Sequence, residues 1–324
     1  MLRRRFVALG AAALAAPALS RRVRAEAYPA RVVRLVVPFP PGGAVDTAAR
    51  ILANQLSQTW GQQMMIENKG GAGGNIAAMA VLNAEPDGYT VYICSIGHAI
   101  NRFIYPSLPY DPVADFAPIT LMCVYPNIMA VPNSSPDHSV QDYIARAKAN
   151  PGKVTYCSSG IGTSLHLCGE LFKRMAGVEL THIPYRGAGP ALNDLMAGRV
   201  DAIFANFPST LPYVQEGRLR GLAVTTAQRQ PEVPELPAIA ELVPGYDVSS
   251  WFALFVAART PPDIVEKLNR DAVAALNAPA VKDRYAQLGA RVVGSTPAAL
   301  AAHLAAEMAR WGPVIKAAGI TVER

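Results

Sequence analysis

Residues 32–60, VVRLVVPFPPGGAVDTAARILANQLSQTW, pass from a β-branched run through a turn rich in Pro and Gly into an Ala-rich amphipathic run. β-Branched runs favour strands, and apolar residues recurring every three or four positions favour a helix. The stretch therefore predicts a strand over 32–39, a tight turn, and a helix over 44–60 with Asp46 in its first turn.

The same alternation continues outward. Strands are expected at 63–67 and 90–95, with a helix at 75–84 between them. After Pro132, Ser139 and Asp142 form a capping box for a helix running to about Ala149, just before Pro151. Strands then fall at 154–157, 180–184, 200–204 and 221–225, with helices at 165–175, 190–197 and 211–217. Regular strand–helix alternation is the pattern of units wound on a parallel sheet, so the fold class is α/β. From Pro261 onward the pattern is helical and strandless, with Pro262-Asp263 and Thr296-Pro297 opening helices. Such a tail must pack on an existing sheet, and the first lobe is the natural host. Lobe 1 is then discontinuous, 28–126 with 253–324, lobe 2 is 127–252, and the crossings lie near 124–131 and 251–256.

The first 27 residues have the three parts of a secretory leader: Arg3, Arg4 and Arg5, an apolar run over 6–19, and Ala25-Glu26-Ala27 as a small-x-small cleavage site. The consecutive arginines resemble a twin-arginine leader. The mature protein is expected to begin near Tyr28 and to be exported to the periplasm. The formal net charge is +6, but the leader holds six arginines and one glutamate, a net of +5, which leaves the rest near +1. That removes the electrostatic case for a nucleic-acid partner, which needs clustered basic residues. Cys94, Cys123, Cys157 and Cys168 would meet an oxidising compartment, where a disulfide is permitted and a buried thiol is the alternative. They lack the spacing of a zinc site, so no metal is expected.

Open α/β sheets bind ligands beyond the carboxyl ends of their strands. Two turns there are unusually rich in Gly and Ser: Phe39-Pro40-Pro41-Gly42-Gly43, and Ser158-Ser159-Gly160-Ile161-Gly162-Thr163 before the helix that carries His166. Glycine lets backbone amides at a helix start approach an anion, and a carboxylate fits that arrangement. Gly-rich turns also join strands to helices with no ligand at all, but one in each expected lobe points to a site between them. Gly71-Ala72-Gly73 is not a dinucleotide fingerprint, because Ile76 stands where the third glycine is required. Walker, GxSxG and HExxH motifs do not occur. Ser164 and His166, two apart on one helix, point to different faces.

These residues resemble the Bug family, the periplasmic solute receptors of tripartite tricarboxylate transporters. The likeness runs through Pro38-Phe39-Pro40-Pro41-Gly42-Gly43 with Asp46, Glu67-Asn68 with Gly70 to Asn75, and Pro86-Asp87-Gly88-Tyr89-Thr90. It continues through Tyr110-Asp111-Pro112, Ser159-Gly160 with Gly162-Thr163 and His166, Pro184-Tyr185-Arg186-Gly187, and Trp251. The resemblance implies two Rossmann-like lobes of the type II periplasmic binding protein, closing on a small carboxylate: an amino acid, a dicarboxylate or an aromatic acid. It implies ligand contacts from Phe39, Gly42, Gly43, Ser95 and His98 in lobe 1, and from Ser158, Gly162, Thr163, His166, Gly187 and Asn206 in lobe 2. It implies no cofactor and no catalysis, a monomer, and integral membrane transporter subunits as partners. Arg102 departs from the family pattern and is a candidate for a second carboxylate, with an exposed loop arginine as the alternative. Two rivals share the same cleft: a receptor for a signalling system, and an exported enzyme using His98 or His166 as base.

Overall fold

A computed structural model describes residues 28–322, so the expected leader lies outside the described residues. The chain runs β1 (Val33–Val37), α1 (Ala44–Trp60), β2 (Met64–Asn68), α2 (Asn75–Leu82), β3 (Thr90–Cys94), α3 (Gly97–Ile104) and β4 (Phe116–Pro132). It continues α4 (Val140–Ala149), β5 (Thr155–Ser158), α5 (Ser164–Ala176), β6 (Thr181–Pro184), α6 (Ala188–Met196), β7 (Ala202–Asn206), α7 (Phe207–Gln215) and β8 (Leu219–Val224). It ends β9 (Ser249–Ala257), α8 (Pro262–Asn277), α9 (Pro279–Gln287), β10 (Arg291–Val292) and α10 (Pro297–Ala317).

The α/β class holds, but the sheet is mixed rather than parallel. Strands order as β2-β1-β3-β9-β4-β7-β5-β6. The early strands of each half pair in parallel, β1 with β2 and β3, and β5 with β6 and β7. The strands that carry the chain between halves, β4 and β9, run antiparallel to their neighbours. The 17-residue β4 changes partners along its length. Up to Pro126 it pairs with β9, and from Asn127 it pairs with β7, then also with β8. The two-lobed architecture follows from that exchange: one strand belongs to both sheets, and β9 begins beside the same point, Ser249 opposite Pro126.

Local chemistry explains the helix starts. Ser139 Oγ accepts the Asp142 amide, Thr163 Oγ1 the His166 amide and Thr296 Oγ1 the Ala299 amide, each an N-cap bond that satisfies a first-turn donor. β4 and β9, expected only as crossings near 124–131 and 251–256, are long strands, and three further elements differ from the sequence expectation. α3 has neither a capping side chain nor a long apolar repeat. α7 begins at Phe207 rather than 211, with Pro208 tolerated in its first turn. The tail is not strandless, since β10 adds two residues antiparallel to β4 at Cys123 and Val124. All four cysteines are buried free thiols. No helix among the described residues is long and apolar enough to cross a membrane.

α1, α8 and α9 cover one face of the first sheet through Leu52, Leu56, Leu268, Leu276 and Tyr285. α10 covers the other face through Leu300, Leu304 and Trp311. A single carboxylate fixes this last helix: Glu307 Oε2 accepts Trp251 Nε1 of β9 at 2.9 Å and Trp311 Nε1 of α10 at 3.2 Å, all three residues being buried. Removing the acceptor strands two indole donors, at about 1–3 kcal/mol each. Glu307→Ala is therefore expected to lower unfolding stability by roughly 2–5 kcal/mol in urea denaturation, while Glu307→Gln, which keeps an acceptor, retains most of it.

Candidate functional site

The first turn of an α-helix carries amides with no acceptor inside the helix. Three such turns, with the cap residue of a fourth helix, meet at one cavity of about 200 Å3. α1 contributes its cap Gly43 with Ala44 and Val45, α5 contributes Thr163, Ser164 and Leu165, α6 contributes Gly187, Ala188 and Gly189, and α7 its cap Asn206. Each helix follows a strand whose carboxyl end faces the cavity: β1, β5, β6 and β7. Each dipole presents about half a positive charge at its start. Phe39, Pro40, Pro41 and Phe252 supply apolar wall, and Ser95 follows the end of β3. Arg186 is the one ionisable side chain among the lining residues.

The Pro-Pro-Gly-Gly turn is held from behind. Asp46 is buried, and its carboxylate accepts the Gly42 amide at 2.9 Å, Arg50 Nε at 2.9 Å and Asn68 Nδ2 at 2.9 Å. Asn68 Nδ2 also donates to the Phe39 carbonyl at 2.9 Å. Burial alone would raise the Asp46 pKa, but donation from Arg50, Gly42 and Asn68 outweighs it, and the carboxyl sits below its ordinary value. Asp46 thus positions the turn as an anion without touching the cavity. Gly42 has φ +88°, a conformation the turn requires and side chains disfavour.

On the opposite side a buried polar cluster ties the cavity to the crossing strands. Asn206 Nδ2 donates to Asn127 Oδ1 of β4 at 2.6 Å and to Ser250 Oγ of β9 at 2.5 Å. Ser250 Oγ lies 2.6 Å from Ser164 Oγ of α5. Two cavity residues, Asn206 and Ser164, are therefore bonded directly to the strands about which the lobes would turn. The lobes also touch each other, at the cavity wall and beyond it. A methyl group added at Gly162 would stand 3.2 Å from Ile104 Cδ1 and 3.3 Å from Asn101 Oδ1 of α3, and one at Gly187 would stand 3.6 Å from Pro40.

Of the expected contacts, Phe39, Gly42, Gly43, Ser95, Thr163, Gly187 and Asn206 lie on the cavity wall. His98, Ser158, Gly162 and His166 do not. His98 is 1% exposed among Tyr92, Tyr110, Phe116 and Phe255, and its Nε2 donates to the Pro112 carbonyl at 2.9 Å. Burial draws its pKa down to about 4. Ser158 Oγ turns inward to His182 Nε2 at 2.7 Å and accepts the Gly160 amide at 3.1 Å, shaping its loop. Gly162 gives its amide to His166 Nδ1 at 3.3 Å and packs at the seam. His166 stacks on His182 with ring centroids 4.2 Å apart, and burial, then the Lys173 charge, lowers its pKa to about 4. Burial and the neighbouring His166 take His182 to about 3. All three rings are neutral near pH 7. Arg102 projects from the exposed side of α3 near Phe103, away from the cavity.

The wall residues that the expected contacts left out include Ser159, Ser164, Leu165, Arg186 and Phe252. Arg186 carried a signal, standing beside Gly187 at a strand end. Phe252 carried none, because β9 brings it back from far along the chain.

Comparison with known proteins agrees with this architecture. The family model described as "Tripartite tricarboxylate transporter family receptor" (TctC) matches residues 48–320. Protein BugT of Bordetella pertussis is 36% identical over 314 residues, covering 96% of this chain and 95% of its own. The structure of R. palustris Rpa4515 with adipate superposes with a TM-score of 0.88 at 43% identity, over 91% of this chain and 100% of that one. MatC (Rpa3494) from Rhodopseudomonas palustris with bound malate gives 0.84 at 33% identity, over 89% and 100%. The resemblance to Bug receptors is thereby upheld across almost the whole described chain, and this protein belongs to the TctC family of tripartite tricarboxylate transporter receptors.

Proposed function

We propose that the protein is a periplasmic receptor that captures a small carboxylate between its lobes and delivers it to the membrane subunits of a tripartite tricarboxylate transporter. The observation that carries this reading is the convergence of three helix first turns, from both lobes, on one cavity. Amides and aligned dipoles bind an anion without a full counter-charge, so a nearly neutral protein selects acids. At about 200 Å3 the cavity falls below the roughly 300–1,000 Å3 of drug-sized sites, which favours a compact metabolite. The adipate and malate held by the two R. palustris neighbours are acids of that kind. The family's receptors bind rather than transform their ligands, and the buried histidines that a base would need stand off the cavity wall.

Lobe 1 then comprises 28–126 with 253–324 and lobe 2 comprises 127–252, a division supported by the exchange of β4 partners between Pro126 and Asn127. The chain acts as a monomer after export by the twin-arginine route and removal of residues 1–27. Closure brings contacts from both lobes to one ligand, and the membrane partner reads the closed form.

Adipate or malate is expected to raise the melting temperature of the mature protein in proportion to the logarithm of its concentration, while the corresponding diamides leave it unchanged. Equal shifts with acid and amide would refute the carboxylate reading. Gly162→Val places a branched side chain against Ile104 and Asn101 at φ +80°, holding the lobes apart. Calorimetric titration is expected to show at least about tenfold weaker binding, with small-angle scattering reporting a more open molecule. A third outcome follows from the histidines. Their folded pKa values of about 4, 4 and 3 lie below the ordinary 6.5, so the unfolded chain holds more protons between those values. Thermal scans are expected to lose stability as pH falls from about 6.5 toward 4, while adipate affinity changes only as the ligand itself protonates.

A further inference from the structure

Arg186 is the residue that the carboxylate reading leaves without a task. It lies in the turn between β6 and α6, one residue before the cap Gly187, and is exposed at the mouth of the cavity it lines. Among the described residues it makes no ion pair and no hydrogen bond, although most other arginines are paired: Arg34 with Glu67, Arg50 with Asp46, Arg146 with Asp137 and Asp201, and Arg199 with Asp194. Gly187 stands against Pro40 of the opposite lobe, so Arg186 sits at the seam where the lobes meet.

A guanidinium at the mouth of a cavity whose helix starts already take one carboxylate is suited to a second anionic group on the same ligand. Its planar, charged fork matches a carboxylate in a bidentate, charge-assisted arrangement. We propose that Arg186 binds the distal carboxylate of a dicarboxylic acid and makes this receptor prefer diacids to monoacids of equal length. This rests on the reading that the helix starts hold the first carboxylate. The role considered for Arg102 passes to Arg186, because Arg102 stands away from the cavity.

The test is calorimetric titration of the mature protein and its Arg186→Gln and Arg186→Lys variants. The probes are the unbranched diacids from succinate to suberate, each paired with the monoacid of the same carbon number. The wild type is expected to bind its best diacid about tenfold or more tightly than the matched monoacid. Arg186→Gln is expected to collapse that ratio to near one, and Arg186→Lys to restore part of it. A ratio that survives Arg186→Gln overturns the assignment while leaving the carboxylate site intact. Failure of the wild type to bind any acid in the series overturns both, and equal binding of diacid and monoacid by the wild type overturns the assignment alone.

Discussion

Helix amides without acceptors constrain this molecule more than any other group. Each of α1, α5 and α6 begins at the cavity with donors that the helix itself cannot satisfy, and each is preceded by a strand that fixes where those donors stand. One such turn would be met by water. Three of them, drawn from two sheets and facing a cavity of about 200 Å3, form a binding surface whose polarity comes mainly from backbone rather than side chains. The near-neutral charge outside residues 1–27 is then no obstacle to anion binding, because the positive potential is local and directional.

Side chains enter mainly as supports. Asp46 places a negative charge behind the first turn, accepting Gly42 and, with Asn68, pinning the loop that ends at Gly43. Asn206 and Ser164 do the reverse on the second lobe: they stand on the cavity wall and reach back to Asn127 and Ser250 on the crossing strands. Occupancy of the cavity and the geometry of the crossing strands are therefore joined by a single cluster of short hydrogen bonds. A ligand that orders Asn206 bears on β4 and β9 without any intervening element.

What was legible in the sequence divides along physical lines. The helices with side-chain caps, at Ser139, Thr163 and Thr296, announce their own starts, because capping is a local bond between residues three apart. The Gly-rich turns were legible for the same reason, since Gly42, Gly160 and Gly162 adopt positive φ that other residues avoid. α3 and β10 were not, the first having no cap and the second consisting of two residues held only by a strand far away in sequence. His98 shows the limit most clearly. The family resemblance implied a ligand contact, but Phe116 and Phe255, brought by β4 and β9, close over it. Burial of that kind is a tertiary fact with no local mark. The parallel sheet expected from strand–helix alternation became a mixed one for a related reason: alternation reports units, not the strands that return between them.

The central claim is that backbone amides of helix starts in both lobes hold the carboxylate together. Amide chemical shifts of the 15N-labelled mature protein, followed by NMR while adipate and then adipamide are titrated, test this directly. The account predicts large shifts with adipate at Ala44 and Val45 and, in the same titration, at Ser164, Leu165, Ala188 and Gly189, with none of comparable size for adipamide. Shifts confined to one lobe, or equal shifts with the uncharged amide, would contradict it.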